Sequence, residues 1–512
     1  MTRQRRSFEW LQFYKLLLLA GALTLAISHL PNAIWDDTSG IFLLTLGGIA
    51  AWRYCWWLTH FIRSQIYGRL VFPKLRCRAD ASWSRGWRPH MIHFMVITFR
   101  EKPHITEQVL QSILDECQTT GIPARIFVGT GDVSDERVIE NYFAGHPADL
   151  PIEVIIVRQN QPGKRFAIGL VLRAMSRHGI ERDDLAVFMD GDSILERGVI
   201  EKCAPLFALN AKLGAVTTNE EAVVVGPKWM QAWCDMRFAQ RRLAMQSHSL
   251  SRKVLTLTGR LSIFRASHVV EEDFIRTIES DHLSHWLWGD FRFLSGDDKS
   301  SWFWLLRNGH EMLYVPDAFA FTIENVEGNG YERVKQNLLR WSGNMLRNGS
   351  RALALGPRQC GWFIWWCVLD QRLSIWTMLT GPVAALSLSL TMGPAVLIAY
   401  LVWVLATRLL LSLALYLYAG RIYLSFPFLL YANQLLASVI KVHLLFRISR
   451  QRWVNRGDQR ARHDTGYVFR FQKAMAGYLT AFYLAILFFL TSIAAGVIGW
   501  SSVQSVAGWL GG

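Results

Sequence analysis

Charge is scarce in this chain: 19% of its 512 residues are Asp, Glu, Lys or Arg, while 51% are hydrophobic and 22 are tryptophan. So apolar a composition excludes an ordinary soluble enzyme. Cysteine is sparse too. Its seven residues (Cys55, Cys77, Cys117, Cys203, Cys234, Cys360, Cys367) form no C-x-x-C pair. That argues against a disulfide framework or zinc site and leaves them as packing residues. The membrane half lacks the internal repeats of a transporter. No nucleic-acid motif accompanies the basic balance, and no small-residue cleavage site follows the first apolar run. No regulatory domain is evident, which implies control by a partner.

What is present is a net charge of +15 and apolar runs at both ends. Basic residues beside anionic lipid account for part of the charge, and an anionic substrate or product suits the same excess. Leu11–Leu30 and Ile41–Phe61 flank the acidic pair Asp36-Asp37, with Arg3, Arg5 and Arg6 in front. This pattern predicts a membrane hairpin (residues 1–61) returning to the cytoplasm. The basic, aromatic residues 62–90 predict a segment lying along the membrane surface. After a central domain (62–350), a membrane domain (351–512) contains spans near Ser374–Leu390, Pro394–Tyr418 and Tyr478–Trp500. Leu424–Phe446 carries Pro427, Asn433, Gln434, Lys441 and His443. The 447–473 loop has seven Arg and one Lys against Asp458 and Asp464. It stays on the cytoplasmic side if Leu424–Phe446 is re-entrant, interfacial or broken.

The central domain alternates apolar, strand-like runs with helical stretches. Met91–Glu101, which ends in polar residues, Ala124–Val128, Glu153–Val157 and Leu185–Met189 are the strands. The spacing predicts a mostly parallel sheet with both faces covered, whose ligands bind beyond the carboxyl ends of the strands. Thr98, Glu101, Asp132, Lys164, Asp190 and Asp192 all fall at that edge. Asp190 and Asp192 flank Gly191, and strand alternation would point both carboxylates the same way. Such oxygen ligands suit Mg²⁺ or Mn²⁺ shared with a substrate phosphate, although a strand end with two solvated acids reads the same. Thr258-Gly259 marks a turn at a cleft. Asp297 and Asp298 follow Gly296 at the start of a helix, as catalytic carboxylates or as caps. Asn337, Arg340 and Trp341 share one helix face.

The order Asp190-x-Asp192, Asp297-Asp298, Arg340-Trp341 between membrane helices resembles the processive family-2 glycosyltransferases. These include the cellulose, hyaluronan and alginate synthases, and the alginate type is the most similar. The resemblance implies a cytoplasmic GT-A-like domain inserted between transmembrane helices of the bacterial inner membrane. It implies polymerisation of mannuronate from GDP-mannuronate, with inversion, and passage of the product across the membrane. Two departures stand out. Asn337 occupies a position the family usually gives to Gln, with Gln336 one residue early. Gly129-Thr130-Gly131-Asp132 replaces the acidic pair often set against uracil.

By that resemblance Asp298 is the general base, with Asp297, Arg340 and Trp341 beside it. Thr98, Glu101, Asp132, Lys164, Asp190, Asp192 and Arg340 bind the donor, and Asp190 and Asp192 its metal. Thr258, Gly259, Asn337 and Trp341 meet the acceptor. An anionic polymer needs an exit path without carboxylates, which nominates Arg408 and Lys441 as channel residues. Snorkelling or a lipid contact explains them equally. The 447–473 loop, with Trp453, would close over the donor or bind lipid. The partners are the donor, the growing anionic polysaccharide, the bilayer, a cyclic-di-GMP-binding membrane co-subunit and envelope export proteins, with no nucleic acid. A synthase using a UDP-sugar and a non-catalytic membrane scaffold are the alternatives.

Overall fold

The computed structural model describes residues 10–30, 47–145, 151–161, 163–326, 328–453, 459–460 and 466–499. Helix α1 (Trp10–Ser28) is followed by α2 (Gly48–Ile66), a π-helical turn at Tyr67–Val71, and α3 (Phe72–Ser84). The central domain then lays down β1 (Ile92–Ile97), α4 (Pro103–Thr120), β2 (Ala124–Thr130), β3 (Ile152–Arg158), α5 (Lys164–Arg177), β4 (Leu185–Asp190), β5 (Ser193–Leu195) and β6 (Leu213–Val225). Next come α6 (Lys228–Ser249), β7 (Ser262–Arg265), the hairpin β8 (His282–His285) and β9 (Gly289–Arg292), α7 (Asp297–Arg307) and β10 (Glu311–Asn325). Helices α8 (Gly330–Cys360), α9 (Trp362–Met392), α10 (Ala395–Ala419), α11 (Phe426–Leu445) and α12 (Tyr467–Ala494) complete the chain.

Eight strands form one GT-A-like sheet in the order β3-β2-β1-β4-β7-β6-β10-β5. The first four are parallel, and β7 runs antiparallel between β4 and β6. Strands β6 and β10 are parallel as well, so four of the seven pairings are parallel, as expected of a mostly parallel sheet, and the sheet is mixed. Every residue of β1 is buried, as a strand covered on both faces requires. Its alternate side chains enter two cores. Phe94 and Val96 pack with Val109 and Ile113 of α4, while Met95 and Ile97 pack with Ile168 and Val171 of α5. The register sets Ile97 opposite both Gly129 and Asp190, so these strands end along one edge.

Five described helices are long and apolar enough to cross a membrane: α1, α9, α10, α11 and α12. The second expected span corresponds in part to α2, which is not among them, and residues 31–46, including Asp36-Asp37, lie outside the described residues. So do residues 1–9 with Arg3, Arg5 and Arg6, and much of the 447–473 loop. The helices of the expected Ser374–Leu390 and Tyr478–Trp500 spans begin earlier than read, at Trp362 and Tyr467, because polar residues on those helices do not end them.

Two expectations are corrected. Leu424–Phe446 is not broken: α11 is continuous from Phe426 to Leu445. Pro427 occupies its first turn, where no helical hydrogen bond is lost. Asn433 accepts from the Trp233 indole at 3.1 Å, and Gln434 accepts from Arg408 Nε at 2.8 Å, so neighbouring helices satisfy its polar groups. Nor do residues 62–90 simply lie along a membrane surface. Tyr67, Ala79 and Trp83 are buried in the core beneath the sheet. The Tyr67 hydroxyl donates to the Tyr314 carbonyl at 2.7 Å, and Arg76 grips Asp317 at 2.7 and 2.9 Å.

Candidate active site

The edge at which β1 and β4 end is also where α5 and α7 begin. Lys164, the first residue of α5, is 8% exposed and joins motifs more than a hundred residues apart. Its Nζ lies 2.6 Å from Asp190 Oδ1 and 2.9 Å from Asp297 Oδ2. One pocket is lined by Lys164, Asp190, Thr258, Gly259, Asp297 and Asp298 above an apolar floor that includes Ile97, Phe188 and Phe264.

Gly259 is required by that proximity: a Cβ there would stand 3.0 Å from Asp190 Oδ2 and 3.5 Å from Lys164 Nζ. Gly191 is equally confined, since its Cβ would meet the Ile97 carbonyl and Thr98 Cα at 2.9 Å. Strand β4 stops at Asp190, and Asp192 sits in the turn beyond. Strand alternation therefore does not orient the second carboxylate. Asp192 lies in the field of Arg260, and Asp190 alone of the two lines the pocket.

Asp297 and Asp298 occupy the first turn of α7, where the helix dipole favours negative charge. Neither caps it: the preceding residue is Gly296, held at φ 87° against the Asn344 side chain of α8. Burial opposes ionisation of Asp297. The Lys164 ammonium, by charge and hydrogen bond, and Arg165 behind it outweigh that and hold the carboxyl below its usual range. Asp298 goes the other way, raised by burial and then by the Asp297 charge beside it. Lys299 is pushed down to about 8 by burial, against the pull of Asp298. Arg165 braces this start from below, donating to the Ile278 and Ser295 carbonyls and to Ser300 Oγ.

Arg340 is half-buried on α8, and burial pulls its guanidinium below the ordinary value against the fields of Asp298, Asp190 and Asp297. Asn337 is buried one turn before Trp341. Trp341 stacks on Trp233 of α6, with ring centres 6.1 Å apart and planes within 6°. Thr98 is buried under Gly191. Glu101 lies in the loop after β1, half-buried. Asp132 is engaged as a helix cap: it accepts from Ser134 N at 3.0 Å and pairs with Arg100 Nε at 2.9 Å. Those bonds depress its carboxyl to about 2. Arg408 and Lys441 lie apart from the pocket, on α10 and α11.

Three features escaped the motif reading: the Trp233–Trp341 stack, the Arg260 pairs with Glu220 (2.9 Å) and Glu324 (3.2 Å), and the Asn344 contact with Gly296. The i, i+4 series Trp233, Arg237, Arg241 was the available signal for the first. Elsewhere His60, His248 and Cys367 offer ligand atoms within 4.8 Å of one another. Arg63, Arg53 and Lys299 surround that cluster and disfavour a cation.

Residues 89–344 match the family model described as glycosyltransferase like family 2. Two curated relatives, both named glycosyltransferase alg8, align over nearly the whole chain. The one from Pseudomonas syringae pv. tomato is 39% identical over 456 residues, 88% of this chain and 91% of its own length. The one from Azotobacter vinelandii is 35% identical over 483 residues, 93% and 96% respectively. Among solved structures, a mannosyltransferase from Pyrobaculum calidifontis in complex with GDP-Man and Mn²⁺ aligns with a TM-score of 0.42 and 17% identity. That alignment covers 75% of this chain and 98% of the other.

Proposed function

Since the chain belongs to the family-2 glycosyltransferases, we propose that it is a processive, inverting synthase that builds poly-β-1,4-mannuronate, the precursor of alginate, from GDP-mannuronate. The observation that carries the site is Lys164, held between Asp190 and Asp297 in one pocket with Asp298. The alg8-named relatives and the +15 net charge, suited to an anionic product, support the choice of sugar.

In this reading an acceptor hydroxyl attacks the anomeric carbon of the donor. The new bond forms as the bond from that carbon to the diphosphate oxygen breaks. Asp298 takes the hydroxyl proton, a task its raised pKa suits. Lys164 and Arg340 supply fixed positive charge to the leaving diphosphate. Thr98, Glu101 and Asp132 border the donor, and Asp297 holds Lys164 in place. Thr258, Gly259 and Asn337 line the approach of the acceptor, whose terminal sugar rests on Trp341.

The residues at the strand edge fit a divalent cation. Asp190 and Asp192 offer only hard oxygen ligands, and Gly259 leaves the second oxygen of Asp190 uncovered. Mg²⁺ or Mn²⁺ there would neutralise charge on the diphosphate. Arg408 (hydrogen-bonded to Gln434) and Lys441 would line the path of the anionic polymer between α10 and α11. The catalytic domain (62–350) then faces the cytoplasm from the bacterial inner membrane. The polymer leaves outward toward envelope export proteins, and a cyclic-di-GMP-binding co-subunit supplies control.

The test is incubation of purified membranes with labelled GDP-mannuronate, then digestion with a mannuronan-specific lyase. Lyase-sensitive polymer is expected from this donor, with none from UDP-sugars. Polymer made from a UDP-sugar alone would overturn the choice of donor, and none from any nucleotide sugar would overturn the synthase itself.

A further inference from the structure

Arg237 is a cation without a counter-charge among the described residues. Its neighbours are all answered. Arg241 meets Glu220 at 3.4 Å, and Arg260 meets Glu220 and Glu324. Arg242 holds Asn219 Oδ1 at 2.7 Å, the Tyr418 carbonyl at 2.8 Å and Glu221 at 3.2 Å. Arg237 instead faces two indoles, its Cζ 5.2 Å from the Trp341 ring centre and 5.9 Å from that of Trp233.

The platform is fixed from behind. Trp233 is buried and tied by its Nε1 to Asn433 on α11, while the outer ring, Trp341, is 36% exposed and open to a ligand. Burial pulls the Arg237 guanidinium down from its ordinary value, with only the Cys234 thiol opposing. A second cation stands near. Lys441 of α11 is half-buried and lies in the field of Arg237. The carboxylate that reaches it, Asp370, is bonded to Arg53 of α2. Two like charges drawn out of water within one another's field are unfavourable, and an anion reaching both relieves that cost. Cation–π attraction to the indoles offsets part of that for Arg237 alone.

We propose that Arg237 and Lys441 form a carboxylate subsite for the acceptor chain, gripping the uronate group of a sugar unit adjacent to the one stacked on Trp341. This rests on the reading of the acceptor as a polyuronate. A guanidinium and a carboxylate form a charge-assisted, often bidentate hydrogen-bonded pair. A neutral sugar would leave both cations unanswered, so the subsite selects an acidic chain rather than merely tolerating one.

The test is binding of two probes to the full-length protein in detergent: a β-1,4-linked mannuronate hexamer and neutral β-1,4-mannohexaose. The native protein should bind the acidic hexamer at least about tenfold more tightly (about 1.4 kcal/mol), and the gap should narrow with salt. R237Q and K441Q should each reduce that preference while leaving the neutral affinity unchanged, and R237K should keep most of it. An undiminished preference in R237Q overturns the subsite and leaves the polymer reading standing. If R237Q loses both probes and R237K loses the preference, the assignment also falls. A native protein that binds only the neutral hexamer, or neither, overturns the polyuronate reading and the subsite with it.

Discussion

Replacing Lys164 with methionine keeps most of its length and removes its charge. The ammonium lies 2.6 Å from one carboxylate and 2.9 Å from another. At an effective dielectric of about 20, each attraction is about 6 kcal/mol before desolvation. Burying the ion cancels much of that, and deleting one partner of a buried pair typically costs about 3–5 kcal/mol. The Asp190 side chain is 27% exposed, so water recovers part of the loss and about 3 kcal/mol is expected for K164M. At about 2–4 °C per kcal/mol in a domain of this size, the melting temperature should fall by roughly 6–12 °C.

The pH dependence gives the sharper check. Lys164 holds the Asp297 carboxyl below its usual range. A depressed carboxyl stabilises the fold above its unfolded pKa, about 3.9, and that contribution is lost as pH falls through the folded value. The gap between native protein and K164M should therefore be widest near neutrality and narrow below about pH 4. In the double variant K164M/D297N no buried charge is stranded between these positions, and part of the loss should return. Melting curves from pH 3 to pH 7.5 in detergent measure both. A deficit independent of pH, or none at pH 7, would refute the bridge.

D298N should abolish polymer formation while leaving the melting temperature and donor binding unchanged, and retained synthesis would remove Asp298 as base. Because the Asp298 carboxyl is raised, turnover should climb with pH through a value above the ordinary carboxylate pKa. Removing the neighbouring charge in D297N should shift that acid limb downward in whatever activity remains. G259A places a methyl 3.0 Å from Asp190 and should lower kcat/KM for the donor by about tenfold or more, with little change in melting. In R408L, donor hydrolysis should persist while polymer length falls, and polymer of normal length and rate would exclude Arg408 from the exit path.

What the sequence made legible was local. Asp190 at a strand end and Asp297-Asp298 at a helix start are placed by their own elements, so short motifs located them. Strand alternation does not extend to Asp192, because β4 ends at Asp190 and a turn carries the chain on. The Trp233–Trp341 platform was hidden because it exists only where α6 meets α8. Helix α11 was misjudged for a related reason. Its Asn and Gln look like helix breakers until Trp233 and Arg408 arrive from other parts of the fold to bond them.

One rod joins the two halves of the site. Helix α8 carries Arg340 and Trp341 in its first half and then, through Asn344, leans on the glycine that precedes Asp297 and Asp298. About two turns further on, Arg351 clasps Asp281 at 2.8 Å, at the foot of the β8–β9 hairpin. Anvil and hammer are thus bolted to one beam. In the proposed synthase, the ring that seats the sugar and the side chains that act on it would keep one spacing from each addition to the next.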